Sequence, residues 1–487
     1  MILKERSWCF RSSVMRALLT LALSSSLALA DLPDPVAITA AMKKAVVYAH
    51  THLAREGGYA SSYDKEGKIG EVEHGESPTI ISIQPHGTTT MGLAMLKAYQ
   101  ATGDEVFLSA AKDAAKALLK CQLASGGWGS DFDFEPAKAK KYHLRSDLEA
   151  GDKEPGKRNN STTLDDNKTQ SALLFLLEMT HEPACKDDAE LKRCTKIAFD
   201  ALLAAQAPIG AWPQQFSGPA DATAPVLKAS YPAEWSRTFP KAKYTGFYTL
   251  NDGNLERIAH LLFRAYELEK DERYMSALKK LGEFLILAQM PEPQPVWAMQ
   301  YDHDMHPAWA RKFEPPSVTA YETVGAMEVL HQLWVLTGDD KYLAPIQPAL
   351  AWFERSKLPD GEYARFYELK TNKPLFFVKD TYELTYDDSD LPTHYSFKDD
   401  RQDDLDTFKK RLAQSREELQ RKLSGPQTPK EWASRAKGAA AKAQKAADAL
   451  DSEGRWLKDD RIDGGEFVKN LNAMAYYVEA VKKGSNP

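Results

Sequence analysis

A repeat constrains this chain more than any other feature. Five times an apolar helical run ends in a short turn containing Gly or Pro, and an aromatic follows: HLAREGGY, KCQLASGGW, AAQAPIGAW, LAQMPEPQPVW and SKLPDGEY. The aromatics are Tyr59, Trp128, Trp212, Trp297 and Tyr363, separated by 69, 84, 85 and 66 residues. Each interval holds two helical patterns joined by a polar turn, clearest in MGLAMLKAYQATGDEVFLSAAKDAAKALLKC and VGAMEVLHQLWVLTGDDKYLAPIQPALAWFE. Apolar residues recur at helical spacing in both halves, and the TGD or EKD links end one helix and cap the next. Helical hairpins at such a period stack into an open solenoid or close into a ring. A long, polar, non-repetitive loop follows each aromatic. Such loops would gather on one face around a central cleft. That favours an all-α fold, an α/α toroid built as an incomplete barrel of repeated helical hairpins.

The ends differ from the repeat. Lys4, Arg6, Arg11 and Arg16 flank or enter the apolar run ALLTLALSSSLALA, which closes in small residues. This reads as a signal peptide over residues 1–30, cut after Ala30, with an apolar part too short to span a bilayer. An exported protein, periplasmic or extracellular, is expected. Cleavage removes four positive charges and one negative, taking the net charge from −6 to −9. Such an acidic chain is a poor partner for nucleic acid, and after cleavage nothing in it reads as a membrane segment. The toroid is expected over residues 31–400. Residues 401–453 are charged or Ala-rich and split at Gly425–Pro426; they read as a helical hairpin inserted outside the ring. Thr428, Pro429 and Glu431 make an N-terminal capping box there. Residues 454–487 read as a final helix closing the toroid, and a monomer is expected. Cys185 and Cys194 bracket an eight-residue insert and, in an oxidising compartment, are expected to form a local disulfide. Cys121 reads as a buried thiol.

The chemistry concentrates in loops. One irregular loop runs from Trp297 to Glu322, between two helical patterns, and carries Asp302, Asp304, Arg311, Lys312 and Glu314 without helix or strand periodicity. Loops this long inside a compact domain are usually functional. The following helix is expected to open at Thr319 with Glu322 completing a capping box. Two other loops, STTLDDNKT and TLNDGN, bring Asp165, Asp166 and Asn167, then Asn251 and Asp252, to the starts of helices. Short oxygen-bearing side chains on loops suit a hard cation such as Ca²⁺. Singly, Asp165 and Asp252 read as helix caps; their recurrence in successive repeats shifts the reading towards a site. DHDMH, off any helical face, reads as a solvated loop rather than zinc ligands.

The ordered set SGGW, IGAWPQQF, TLDDNKT, TLNDGN, VWAMQYD, ARKFEPPS and ARFYELKTNKPLFFVKD resembles the family-10 polysaccharide lyases, the pectate lyases built as an α/α toroid. The resemblance runs from about Gly126 to Asp380. It implies secreted cleavage of α-1,4-polygalacturonate by Ca²⁺-assisted β-elimination. It makes Arg311 the base that takes the C5 proton. Asp165 and Asp252 become metal ligands, and Arg365, Lys379, Asp302 and Asp166 contact substrate. Two positions depart from the family pattern: Asp166 stands where Asn is usual, and Lys379 where Arg is usual. A proton α to a carboxylate is removed only if the growing enolate-like charge is neutralised, which Ca²⁺ and an Arg against that carboxylate supply. An arginine base needs a strongly cationic surround and favours alkaline conditions. Two other functions fit the same residues: a toroidal glycoside hydrolase on uronide-containing polysaccharide using Asp165 and Asp252, and a non-catalytic uronide-binding relative.

Overall fold

The computed structural model describes residues 32–69 and 77–485; the leader at residues 1–30 lies outside them. Thirteen longer helices carry the architecture: α1 Pro35–Tyr48, α2 Thr88–Thr102, α3 Glu105–Lys120, α4 Lys168–His181, α5 Ala189–Ala204, α6 Asn254–Glu269, α7 Glu272–Ala288, α8 Ala320–Thr337, α9 Ile346–Ser356, α10 Gln402–Leu412, α11 Arg416–Leu423, α12 Pro429–Asp448 and α13 Gly464–Ser485. The inner helices pack side by side in the order α13, α2, α4, α6, α8, and α1, α3 and α5 lie outside them. Shorter α10 and α11 pack on α8, where another hairpin would complete the circle, so the toroid is incomplete.

The hairpin turns follow from local chemistry. Gly103 and Gly338 take left-handed backbone (φ +77° and +75°) that ends α2 and α8, and Asp104 and Asp339 accept backbone N–H bonds that open the next helical turn. A cap of this kind contributes about 1 kcal/mol.

At the other end, the aromatic of the repeat locks each outer helix to its loop. Trp128, Trp212 and Trp297 are fully buried. Their indole N–H groups donate to the carbonyls of Leu118 (2.9 Å), Leu202 (2.7 Å) and Leu285 (2.7 Å), near the ends of α3, α5 and α7. Successive repeats are then joined by glutamine: Gln122 donates to Gly126 O and Cys194 O, and Gln206 to Gly210 O and Ala277 O. Gly126 and Gly210 show why glycine recurs in this turn. Both are left-handed, and a Cβ at Gly210 would sit 2.0 Å from Lys280 O on the next outer helix.

A fourth copy of this indole bond is present at Gly454–Trp456, where the Trp456 indole N–H donates to Ala446 O (2.7 Å). It changes the reading of the charged stretch. Residues 401–453 do not form a separate hairpin outside the ring: α12 pairs with α13 as outer and inner helix of a repeat, and only α10 and α11 are extra. The low apolar content of α12 reflects its exposed outer position. The capping box of Thr428 and Glu431 forms.

Short antiparallel ladders stitch the loops together on one face. Ile80–Ser82 pairs with Asp131–Asp133, Thr162–Thr163 with Gln215–Phe216, and Tyr248–Thr249 with Gln300–Tyr301. A larger sheet joins β1 Ser317–Thr319, β2 Phe366–Glu368, β3 Pro374–Phe377 and β4 Leu384–Thr385, in the order β4-β3-β2-β1. Each ladder ties the loop of one repeat to the next, which fixes the floor of the site.

Two local expectations are corrected. Cys185 and Cys194 are free thiols. Cys185 lies in the turn Pro183–Cys185, whereas Cys194 is already inside α5, buried with Sγ 3.4 Å from Glu190 Oε1. The helix that starts between them carries the two sulfurs to separate buried places. Thr319 makes no side-chain cap at α8, and Glu322 is not part of a capping box; its carboxylate is buried and faces Arg365 at 3.7 Å.

Candidate active site

Two turns of matching backbone build the acidic part of the site. Leu164–Asp165–Asp166–Asn167 leads into α4, and Leu250–Asn251–Asp252–Gly253 leads into α6. Asp166 (φ +50°) and Asp252 (φ +54°) are both left-handed, as are Asn167 and Gly253 after them. Left-handed backbone disfavours most side chains but tolerates Asp and Asn. None of these acids caps its helix, since no side-chain cap bond is made at either turn. The structural equivalence is therefore Asp166 with Asp252, and Asp165 with Asn251. Asp165 and Asp252, expected at matching places, sit one residue out of step.

The two turns meet. Asp165, Asp166 and Asp252 each offer a carboxylate oxygen within 4.8 Å of the others, and Asp165 Oδ1 is buried without a hydrogen-bond partner. Burial, reinforced by the neighbouring Asp165 and Asp166, pushes the Asp252 carboxyl up to about 7. Burial and Asp166 also raise Asp165, against the pull of Arg311 and Lys168. A hard-oxygen set with one orphaned oxygen and mutually repelling charges fits a Ca²⁺ ion, which takes six to eight oxygens in flexible geometry. Among the described residues this is the one cluster with metal-ligand spacing.

Arg311 reaches this cluster from the long loop. Its Nη2 donates to Asp165 Oδ2 (2.9 Å), and its Nη1 lies 3.9 Å from Asp252 Oδ2. Glu314, almost fully buried, holds it from behind: Oε2 accepts the Arg311 backbone N–H (3.0 Å) and Oε1 accepts from Nη1 (2.9 Å). Burial opposes the charge of Arg311, but Glu314 and Asp165 outweigh burial and hold the guanidinium pKa above its ordinary value.

Arg365 enters from the next repeat, on the backbone between Ala364 and β2. It is more buried than Arg311, stacks on Tyr395 with its guanidinium carbon 4.2 Å from the ring centre, and lies 3.9 Å from Asp252 and 3.7 Å from Glu322. Tyr395 also donates to Glu314 Oε1 (3.2 Å). One aromatic thus braces both guanidinium systems.

The remaining sequence candidates lie apart from this core. Lys379 is exposed in the turn after β3, and no ion pair joins it to the cluster among the described residues. Asp302 organises its own loop, with Oδ1 accepting from the backbone N–H of Asp304 (3.0 Å) and His306 (2.9 Å). Sequence reasoning assigned no part in the site to Glu314, Glu322 or Tyr395. Glu314 sits three residues from Arg311, in reach of it across a turn, which was the available signal. Tyr395 lies in an irregular stretch whose fold depends on packing under β2 and β3, so local sequence carried none.

The sequence model of the pectic acid lyase family matches residues 134–407, more than half of the chain and the whole of this site. No curated protein matches the chain. Among solved structures, a mutant of a family 10 polysaccharide lyase from Cellvibrio cellulosa in complex with trigalacturonic acid is similar at 18% identity and a TM-score of 0.46, covering 67% of this chain and 99% of that one. A second structure of a family 10 polysaccharide lyase from the same organism has 20% identity and a TM-score of 0.43, with 63% of this chain and 92% of that one covered. An α-1,6-mannanase from a Salegentibacter species has 12% identity and a TM-score of 0.38, with 91% and 99% covered. By its match over residues 134–407, the chain belongs to the pectic acid lyase family and is a polysaccharide lyase.

Proposed function

We propose that the chain is an exported pectate lyase that cleaves demethylated α-1,4-polygalacturonate by β-elimination, with Arg311 as the base. The observation that carries this reading is the convergence of two half-buried guanidinium groups, Arg311 and Arg365, on one cluster of three aspartates. Arg311, as the neutral guanidine, takes the C5 proton. The electron pair left at C5 forms the C4–C5 double bond, the C4–O bond breaks, and the departing oxygen takes a proton from water. Arg365 is positioned to hold the uronate carboxylate through a planar, bidentate fork. Lys379 and Asp302 would contact sugar further out. Lys379, a point charge on a flexible stem, supplies attraction there without the geometry of an Arg.

Asp165, Asp166 and Asp252 would hold Ca²⁺, which when bound offsets the negative charge that grows on the uronate. In the geometry seen here Asp165 and Glu314 favour the charged guanidinium. Turning the aspartates towards a cation removes part of that support, and alkaline pH favours the neutral base in the same sense. The leader at residues 1–30 supports export, and no helix among the described residues is long and apolar enough to cross a membrane.

The test is a digest of polygalacturonate followed by ultraviolet absorbance. An unsaturated uronide is expected with Ca²⁺ and is expected to vanish with a chelator. Absence of the chromophore under saturating Ca²⁺ at alkaline pH would overturn the proposal.

A further inference from the structure

The wall of the ring carries a second cleft, of ≈ 620 Å³, between α11, α12 and α13. Its position follows from α11. Arg416 at the start of that helix donates to Val335 O (2.9 Å) and Leu336 O (3.0 Å) at the C-terminal end of α8. Glu322, by contrast, lies in the first turn of α8, about 20 Å away along the helix. The cleft itself is lined at mid-height of α12 and α13, on the wall of the ring and not on the loop face that holds Arg311. It is also outside residues 134–407, the part matched by the family.

Four cations line it: Arg421, Lys422, Arg435 and Lys442. The one acid in the lining, Glu431, is committed to the capping box, with Oε2 accepting from the backbone N–H of Gln427 (2.8 Å) and Thr428 (3.1 Å). Lys422 pairs with Glu418 (3.0 Å), and Arg421 only approaches Glu431 at 3.9 Å. Arg435 and Lys442 pair with no carboxylate among the described residues. They stand seven residues apart on one face of α12, about 10 Å along the axis.

Between them lies Gly438. A glycine in a helix interior costs about 1 kcal/mol relative to alanine, and α12 is otherwise rich in alanine. No neighbour requires this one, because a Cβ at Gly438 would meet nothing within 4 Å. The missing side chain instead opens the floor of the cleft. Tyr476 of α13 stands 40% exposed at its edge, offering a ring face. Paired cations for carboxylates, an open floor and an exposed aromatic for the apolar face of a sugar ring describe a site for an acidic polysaccharide.

We infer that this cleft is a second binding site for polygalacturonate, remote from the cleavage site, which retains the enzyme on polymer. The inference rests on polygalacturonate being the substrate. A second anchor raises the effective concentration of polymer at the first without any new contact there.

The experiment uses the full chain in native gels cast with polygalacturonate, with polyglutamate, or without either, in parallel with initial rates on trigalacturonate read by absorbance. The charge-reversed Arg435→Glu/Lys442→Glu variant is expected to lose retention on polygalacturonate by at least about fivefold, with trimer turnover unchanged. Gly438→Leu fills the floor without changing charge. It is expected to lose retention as well while keeping or raising the melting temperature. Unchanged retention in both variants overturns the inference, as does equal retardation of the unmodified chain by polyglutamate. Failure of trimer turnover in the unmodified chain would break the catalytic proposal instead, since retention is read without it.

Discussion

The turns Leu164–Asn167 and Leu250–Gly253 share backbone, left-handed aspartate and place in the repeat, yet they treat arginine in opposite ways. In the first, Asp165 carries a charge and binds Arg311 at 2.9 Å. In the second, the equivalent residue is the neutral Asn251, whose Oδ1 is 3.4 Å from Arg365 while its amide turns to Asp252 (2.8 Å). The one-atom difference between carboxylate and carboxamide decides how much of each guanidinium charge is already satisfied. Arg311 is held by acids on two sides; Arg365 is kept by stacking and longer approaches, leaving charge for an incoming carboxylate. On the proposed mechanism, the two matching turns serve two purposes: one holds the base, and the other leaves Arg365 free for a substrate carboxylate.

The largest effect that would test this division is at Arg311. Arg311→Ala is expected to lower kcat by at least about 10³-fold while oligogalacturonate binding persists, because general-base contributions run to 10²–10⁴. Steady-state rates and equilibrium binding on the same protein check it; equal loss of both would merge the two roles. Next, Asp165→Asn makes the first turn like the second. It removes a carboxylate from the aspartate cluster and loosens Arg311, so on the proposed reading Ca²⁺ affinity, read by titration, is expected to fall on the order of 10²-fold.

The turns also show how far residues alone could lead. TLDDNKT and TLNDGN mark the acidic loops, and the Gly-aromatic endings mark the repeats, because short-range chemistry determines both. The register between the turns was legible too, in the shared Thr-Leu pairs Thr163–Leu164 and Thr249–Leu250, which align Asp166 with Asp252. Reading charge instead of backbone paired Asp165 with Asp252. Glu322 shows the opposite limit. Its spacing from Thr319 is that of a capping box, but packing against Arg365 outweighs the local bond, and nothing within four residues signals that. Trp456 was obscured by composition, since an outer helix full of Ala and Lys does not look like part of a core.

The metal-free cluster has a pH signature. Asp252 titrates near 7 in the fold against about 4 when unfolded. Between those values the native state binds more protons than the unfolded state, so stability falls as pH rises through that window. In chelator, the melting curve is expected to lose stability on the order of 3 kcal/mol from pH 4 to pH 7 from this group. Asp252→Asn should remove that slope, and Asp166→Asn, relieving one neighbour, should reduce it. A chelated protein with the same slope in all three forms would show that the second turn does not carry the burden of repulsion.

The smallest expected effect is the most direct reading of the comparison. Asn251→Asp gives the second turn the charge of the first. A carboxylate at that position would approach Arg365 as Asp165 approaches Arg311, and the substrate would then have to displace it. KM for trigalacturonate is expected to rise about tenfold with a much smaller change in kcat, as follows when binding shared by ground and transition states is weakened. The added charge also lies beside Asp252, so Ca²⁺ affinity is measured in parallel to separate the two causes: a KM that rises even at saturating Ca²⁺ belongs to Arg365. An unchanged KM there would mean that the amide at Asn251 is not what leaves the guanidinium free, and the division between the two turns would have to rest on Tyr395 and Glu322 instead.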